Sequence, residues 1–224
     1  MSLAGKAVVA IWNGIRPEGR SDFFEWHNRE HMPERVAIPG FVRGRRYEAV
    51  DAQPEFFTLY ETVSVDVLSG ADYLARLNAP TEWTRRATAH FTDTARSLCR
   101  VAVSTGPGSG GLMMTWRFDA PASGVDEASL RSLASSPGVV GAHLCIADRA
   151  ASGVETEEKK GRPKNAVPGF VLMVEGGSDR ERLEAAAARV SIPRAERGLY
   201  RLQYALRAQR SVERLVAGRE VEQR

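Results

Sequence analysis

Short apolar runs with the alternation expected of strands recur along the chain, separated by stretches whose apolar residues return at helical spacing. In the first half the strand-like runs are Ala7 to Trp12, Phe41 to Val50, Pro54 to Glu61 and Leu98 to Ser104. Helical stretches fall at Asp22 to His31, and at Asp72 to Leu77 with Glu82 to Phe91. In the second half the strands are Leu112 to Phe118, Val139 to Ala147, Pro168 to Glu175 and Leu199 to Arg207, with helices at Glu127 to Ser135 and Arg180 to Val190. Each half therefore predicts the order β-α-β-β-α-β.

The two halves also share sequence marks. Pro39-Gly40-Phe41-Val42 matches Pro137-Gly138-Val139-Val140, and each opens a strand-like run. A later Pro in each half begins a second strand that ends on a Glu, Glu61 or Glu175. The order is that of the split βαβ, or ferredoxin-like, motif. Such a motif covers one face of its antiparallel sheet with helices, so two copies can cover each other's open faces. The expected fold is thus α+β: two ferredoxin-like βαββαβ repeats whose sheets pack into an α/β barrel. The repeats are expected at 1–105 and 112–208, joined by a Gly-rich linker at 106–111 that lacks the Lys-Ser/Thr of a phosphate loop. The polar stretch 150–166 reads as a mobile surface loop, and 209–224 as a C-terminal helix or tail.

Composition narrows the function classes. Apolar residues make up 43% of the chain and charged residues 26%, an ordinary globular balance. Lys and Arg exceed Asp and Glu by 31 to 28, too small a surplus to indicate nucleic-acid binding. No run approaches the length of a membrane helix, and Ala7 to Trp12 is shorter than the apolar core of a leader. A cytoplasmic protein with no membrane partner is the expectation. Cys99 and Cys145 are isolated and read as buried free thiols.

Reactive side chains concentrate between Asp22 and Arg35. Asp22 reads as a helix cap, with Glu25 three residues on, and Pro33 should stop or kink the helix after His31. Helical spacing places Phe23, Phe24, Trp26, His27, Glu30, His31 and Glu34 on one face. Imidazoles and carboxylates on a core-facing stripe need partners or a cavity. His31 could instead pin the following loop through Arg43, Arg45 or Arg46. His27-Asn28-Arg29-Glu30-His31 also spells H-x-x-E-H, a zinc pattern, but Pro33 and the lack of a third ligand leave it without its context, and no metal is expected. His143 aligns with Arg45 through the repeat, which would make them equivalent polar groups inside the barrel.

The run Phe24-Glu25-Trp26 through His31-Met32-Pro33-Glu34-Arg35, then Ile38-Pro39-Gly40-Phe41, Arg45-Arg46-Tyr47 and Leu59-Tyr60-Glu61, resembles the EthD-like branch of the dimeric α/β-barrel superfamily. The resemblance implies a barrel closed within one chain or across a possible homodimer. It also implies chemistry of the kinds found in that superfamily: cofactor-independent monooxygenases, isomerases, cyclases and haem-binding enzymes. His31 matches the family's helix histidine. The leading expectation is a catabolic enzyme for a hydrophobic or polyketide-like small molecule, needing no cofactor, with His31 and Glu30 catalytic. Trp26, His27, Glu34, Arg45, Tyr47, Tyr60 and His143 are the expected substrate-binding residues. The alternative is a non-catalytic binding or oligomerisation protein with a filled core. Haem binding ranks last.

Overall fold

The computed structural model describes residues 3–160 and 165–209. Its first half comprises β1 (Ala7–Ile15), α1 (Arg20–Trp26), a π turn (His27–His31), α2 (Met32–Val36), β2 (Phe41–Asp51), β3 (Phe56–Thr62), α3 (Ala71–Asn78), α4 (Glu82–Thr88) and β4 (Phe91–Thr105). The second comprises β5 (Leu112–Phe118), α5 (Glu127–Ala134), β6 (Val139–Ala147), α6 (Arg149–Gly153), β7 (Phe170–Gly176), α7 (Arg180–Ala187) and β8 (Glu196–Arg207). The eight strands close into one antiparallel barrel in the order β1-β3-β2-β8-β5-β7-β6-β4. Within each half the order is last strand, first, third, second, and the halves meet where β2 pairs β8 and β4 pairs β6. The barrel closes within a single chain.

Period-two alternation sorts the side chains into an interior and an outer layer. Val8, Ala10, Trp12, Tyr47, Phe57, Leu59, Cys99, Met113, Cys145, Val171, Met173 and Tyr200 form one buried cluster drawn from all eight strands, together with Ala95, so the barrel is filled rather than hollow. The intervening residues face helices. Met114, Trp116, Leu172 and Val174 pack under α5 and α7, whereas Val9, Tyr60 and Leu98 pack under α2 and α3. Trp12 and Trp116 lie on equivalent strands yet on opposite faces. Both cysteines are free and buried, and burial pushes the Cys99 thiol up to about 12.

One end of the barrel holds an ion cluster. Glu61 receives Arg43 (2.7 Å) and Arg45 (3.1 Å), and Glu175 receives Arg45 (2.9 Å) and His143 (3.3 Å). A carboxylate only accepts, so His143 Nε2 carries the proton on that side. The linker folds over this end: the Gly110 amide donates to Glu175 at 3.1 Å and Arg43 donates to Ser109 at 3.1 Å. A Cβ on Gly110 would lie 1.8 Å from the Gly176 carbonyl oxygen, so this crossing requires glycine.

Three expectations are corrected. Residues 20–36 run as one helical rod, so Pro33 does not end the helix. Asp22 caps nothing; the first turn has no side-chain cap, and Asp22 instead accepts from Trp83 Nε1 (2.8 Å) and Arg86 (3.1 Å) on α4. β4 begins at Phe91 rather than Leu98, because Phe91 to Ala95 pair with the far end of β1. In the stretch 150–166, α6 and a short helical turn at Glu157–Lys159 pack on the first half. The expected helix from Ser211 to Glu222 lies outside the described residues. Among the described residues no helix is long and apolar enough to cross a membrane.

Candidate functional site

The π turn at His27–His31 shapes the site. In a regular α-helix the ring of Pro33 would press on the carbonyl of residue 29 and its missing N–H would leave a gap. The widened turn just before it absorbs both defects and keeps the rod continuous. His27 and His31 consequently both point inward, 3% and 7% exposed, with ring centroids 5.6 Å apart. Trp26 lies against His31 at 4.3 Å and is itself fixed by a hydrogen bond from Nε1 to Thr84 Oγ1 (3.1 Å).

His31 lines a recess of about 40 Å³ between this rod and the sheet, with Trp26, Arg35, Tyr60, Tyr73 and Arg96 around it. Arg35, one turn beyond His31, is buried and ion-paired with Glu158 from the 150–160 segment. Burial alone would depress Arg35, but Glu158 and the other neighbouring groups together outweigh it and hold the guanidinium charged. Arg96 donates to the Tyr73 hydroxyl at 2.7 Å. Arg46 lies 3.2 Å from His27 Nδ1, and because a guanidinium only donates, that nitrogen is the acceptor. Burial, reinforced by Arg46 and Arg35, holds the His27 pKa well below its usual value, so the ring is neutral with its proton on Nε2. Nε2 faces the Tyr60 oxygen at 3.5 Å. With its oxygen accepting there, Tyr60 keeps its own proton to donate toward the recess, and burial raises its pKa so that the phenol stays protonated.

The recess borders a larger space. Phe91, Thr94 and Asn165 wall both it and a cleft of about 610 Å³ at the barrel end opposite the ion cluster. Gln53, Pro54, Thr92, Ala95 and Arg117 complete much of that cleft. Beyond Arg117, Ala166 and Glu196, which border both, lies a second cleft of about 770 Å³ with Phe118, Val167, Pro168, Ile192 and Pro193 in its walls. Asp93 and Arg194, one in each cleft, have φ of 49° and 60°, a conformation uncommon outside glycine.

Of the residues expected to form the site, His31, Trp26 and Tyr60 meet at the recess, with His27 just behind Tyr60. Glu30 is not brought to His31: its carboxylate accepts from Thr81 Oγ1 (2.5 Å) and Thr84 Oγ1 (3.3 Å) at the start of α4. Glu34 faces Arg76 at 3.8 Å. Arg45 and His143 do share the barrel interior, as the repeat suggests, and Tyr47 lies beside Arg45. That interior is packed, however, and is separated from the recess by the sheet. The H-x-x-E-H spelling gathers no ligand set, since Glu30 turns away and His27 Nδ1 is occupied by Arg46. Among the described residues, no group of three or more His, Cys, Asp or Glu side chains is placed to hold a metal. Arg35, Tyr73, Arg96, Glu158 and Arg117 escaped the sequence reading. Arg35 alone carried a signal, at one turn from His31 on the same face.

No protein-family model matches the sequence, and no curated protein matches it. Solved structures do. An anthrone oxidase-like protein superposes with a TM-score of 0.56 at 15% identity over 94% of this chain and 97% of its own. An uncharacterised ferredoxin-fold protein from Listeria monocytogenes, related to antibiotic biosynthesis monooxygenases, gives 0.42 at 10% identity over 90% and 97%. A haem-binding protein from Thermus thermophilus gives 0.46 at 11% identity over 89% and 92%. The first likeness bears on fold alone and the other two carry no functional weight. The fold is the ferredoxin-like α/β barrel.

Proposed function

We propose that the chain is a small-molecule enzyme that binds a largely apolar ligand in the 610 Å³ cleft and presents one small group of it to His31. The observation that carries this reading is the shared wall of Phe91, Thr94 and Asn165, which sets a cleft of ordinary ligand size directly beside the recess. His31 in this reading is the acid/base. Its imidazole takes a proton from a carbon next to a carbonyl, the C–H electron pair becomes the enolate double bond, and the carbonyl oxygen gains the charge. The Tyr60 hydroxyl and the cationic Arg35 and Arg96 provide the stabilising surroundings for that oxygen. The sequence run from Phe24 to Glu61 supports placing the chain beside the EthD-like proteins.

A porphyrin does not fit beside His31, since a recess of about 40 Å³ cannot admit a macrocycle. The small recess and the filled barrel also favour a second reading, a binding protein without catalysis. That version cannot use the Arg-rich strand for oligomerisation, because Arg43, Arg45 and Arg46 are 5%, 2% and 3% exposed and engaged within the chain.

Proton exchange separates the two readings. 2-Acetylnaphthalene, an aromatic ketone whose small methyl group lies next to its carbonyl, is incubated in D2O with the protein and its methyl signal is followed by NMR. The proposal expects exchange faster than in buffer, lost in His31→Ala while binding persists. Binding with exchange no faster than in buffer, or exchange equal in His31→Ala, would leave only the non-catalytic reading.

A further inference from the structure

We infer that Arg117 is an anion anchor, and that the ligand taken by the clefts is a planar aromatic carboxylate. The inference rests on the reading of the 610 Å³ cleft as a ligand site, though not on chemistry at His31.

Arg117, the penultimate residue of β5, projects into the barrel end, where it borders both clefts. Its side chain is 8% exposed. The guanidinium lies 5.1 Å over the Trp12 ring and donates to the Gln53 carbonyl at 3.1 Å. Two contacts, one of them with the fully buried Trp12 ring, thus fix the orientation of its planar fork before any ligand arrives, the preorganisation that makes arginine selective for carboxylates. Its counter-ion is the weak part. Glu196 approaches to 2.5 Å, yet the Glu196 side chain is 71% exposed, so it is held by little besides the charge and competes with water.

A nearly buried cation whose one acidic partner among the described residues reaches it from the surface is satisfied at rest and replaceable on binding. The incoming carboxylate takes the place of the Glu196 oxygens, and Glu196 returns to solvent at small cost. The walls supply the rest of the specificity. Pro54, Phe91 and Ala95 on one side, and Phe118, Pro168 and Ile192 on the other, offer flat apolar surface to an aromatic body.

The test uses 2-naphthoate and its uncharged isostere 2-naphthamide, titrated calorimetrically into the full-length protein, with Arg117→Lys, Arg117→Met and Glu196→Gln alongside. The inference expects naphthoate to bind the native protein at least about tenfold tighter than naphthamide. Arg117→Met should erase that preference and Arg117→Lys should reduce it, while naphthamide binding holds. Glu196→Gln, at an exposed position that cannot disturb the core, should tighten naphthoate by about two- to fivefold. Equal affinity of the two compounds for the native protein, or weaker naphthoate binding in Glu196→Gln, would overturn the anchor while leaving the cleft as a site for neutral ligands. Failure of both compounds to bind would overturn the cleft reading and the anchor with it.

Discussion

Replacing Glu175 with Gln probes the ion cluster that ties the two halves of the barrel together. The carboxylate is fully buried and its pKa falls from an ordinary 4.5 to about 2. Burial alone would raise it; the hydrogen bond from His143 and the pairing with Arg45 outweigh that cost. Because the folded value lies below the unfolded one, the stabilisation is complete above about pH 4.5 and is lost as the pH falls through 2. Integrated between those values, the group contributes about 3 kcal/mol at pH 6 and roughly half of that at pH 3. Glutamine cannot ionise. Glu175→Gln should therefore unfold in urea with a stability lower than native by about 3 kcal/mol at pH 6, and the gap should shrink by about half at pH 3. Tryptophan fluorescence during equilibrium urea titrations at the two pH values measures both numbers. A gap of the same size at both, or none at pH 6, would refute the assignment of the cluster as a charged pair system.

Other expected outcomes follow from single contacts. Gly110→Ala should lower the melting temperature, because the added Cβ meets the Gly176 carbonyl at 1.8 Å and must push the linker amide off Glu175; an unchanged melting temperature would contradict that crossing. Thr81→Ala removes the cap of α4 and the donor to Glu30 together, and should cost about 1 kcal/mol in a urea titration. Native protein should give no early thiol titre with a disulfide reagent, and two thiols in denaturant, since Cys99 and Cys145 are buried and their pKa values are raised. Arg35→Ala should expose the backbone near Glu158 to limited proteolysis, with no such cleavage in the native protein.

The fold was legible in the sequence for a physical reason. Gly40 and Gly138, the glycines of the two Pro-Gly steps, sit at φ of 90° and 84°, so both copies use the same glycine-dependent turn into their second strand. Of the residues expected to fill the barrel, Phe56, Phe57, Leu59, Met113 and Met114, period-two alternation sends Phe57, Leu59 and Met113 inward, whereas Phe56 packs against α1 and Met114 under α5 and α7. The site was legible only in part. A helical wheel put His27 and His31 on the inner face, but it assumes regular α spacing and so could not show the π turn that accommodates Pro33. Alternation also cannot say which face of a strand looks into the barrel. Arg45 and Tyr47 were therefore grouped with His31, although they lie across the sheet from it, and Arg117 passed as one more charge at a strand end. Glu158 reaches the recess through a loop about which periodicity is silent.

The central claim, that ligand in the barrel-end cleft touches His31, is tested most directly by the side-chain resonances of the four histidines. Protein carrying ¹⁵N-labelled histidine is titrated with 2-acetylnaphthalene and followed by two-dimensional NMR. The account predicts that the His31 imidazole signals move in proportion to occupancy while those of His143, enclosed in the barrel, stay in place. Saturable binding that leaves the His31 signals where they were would contradict it.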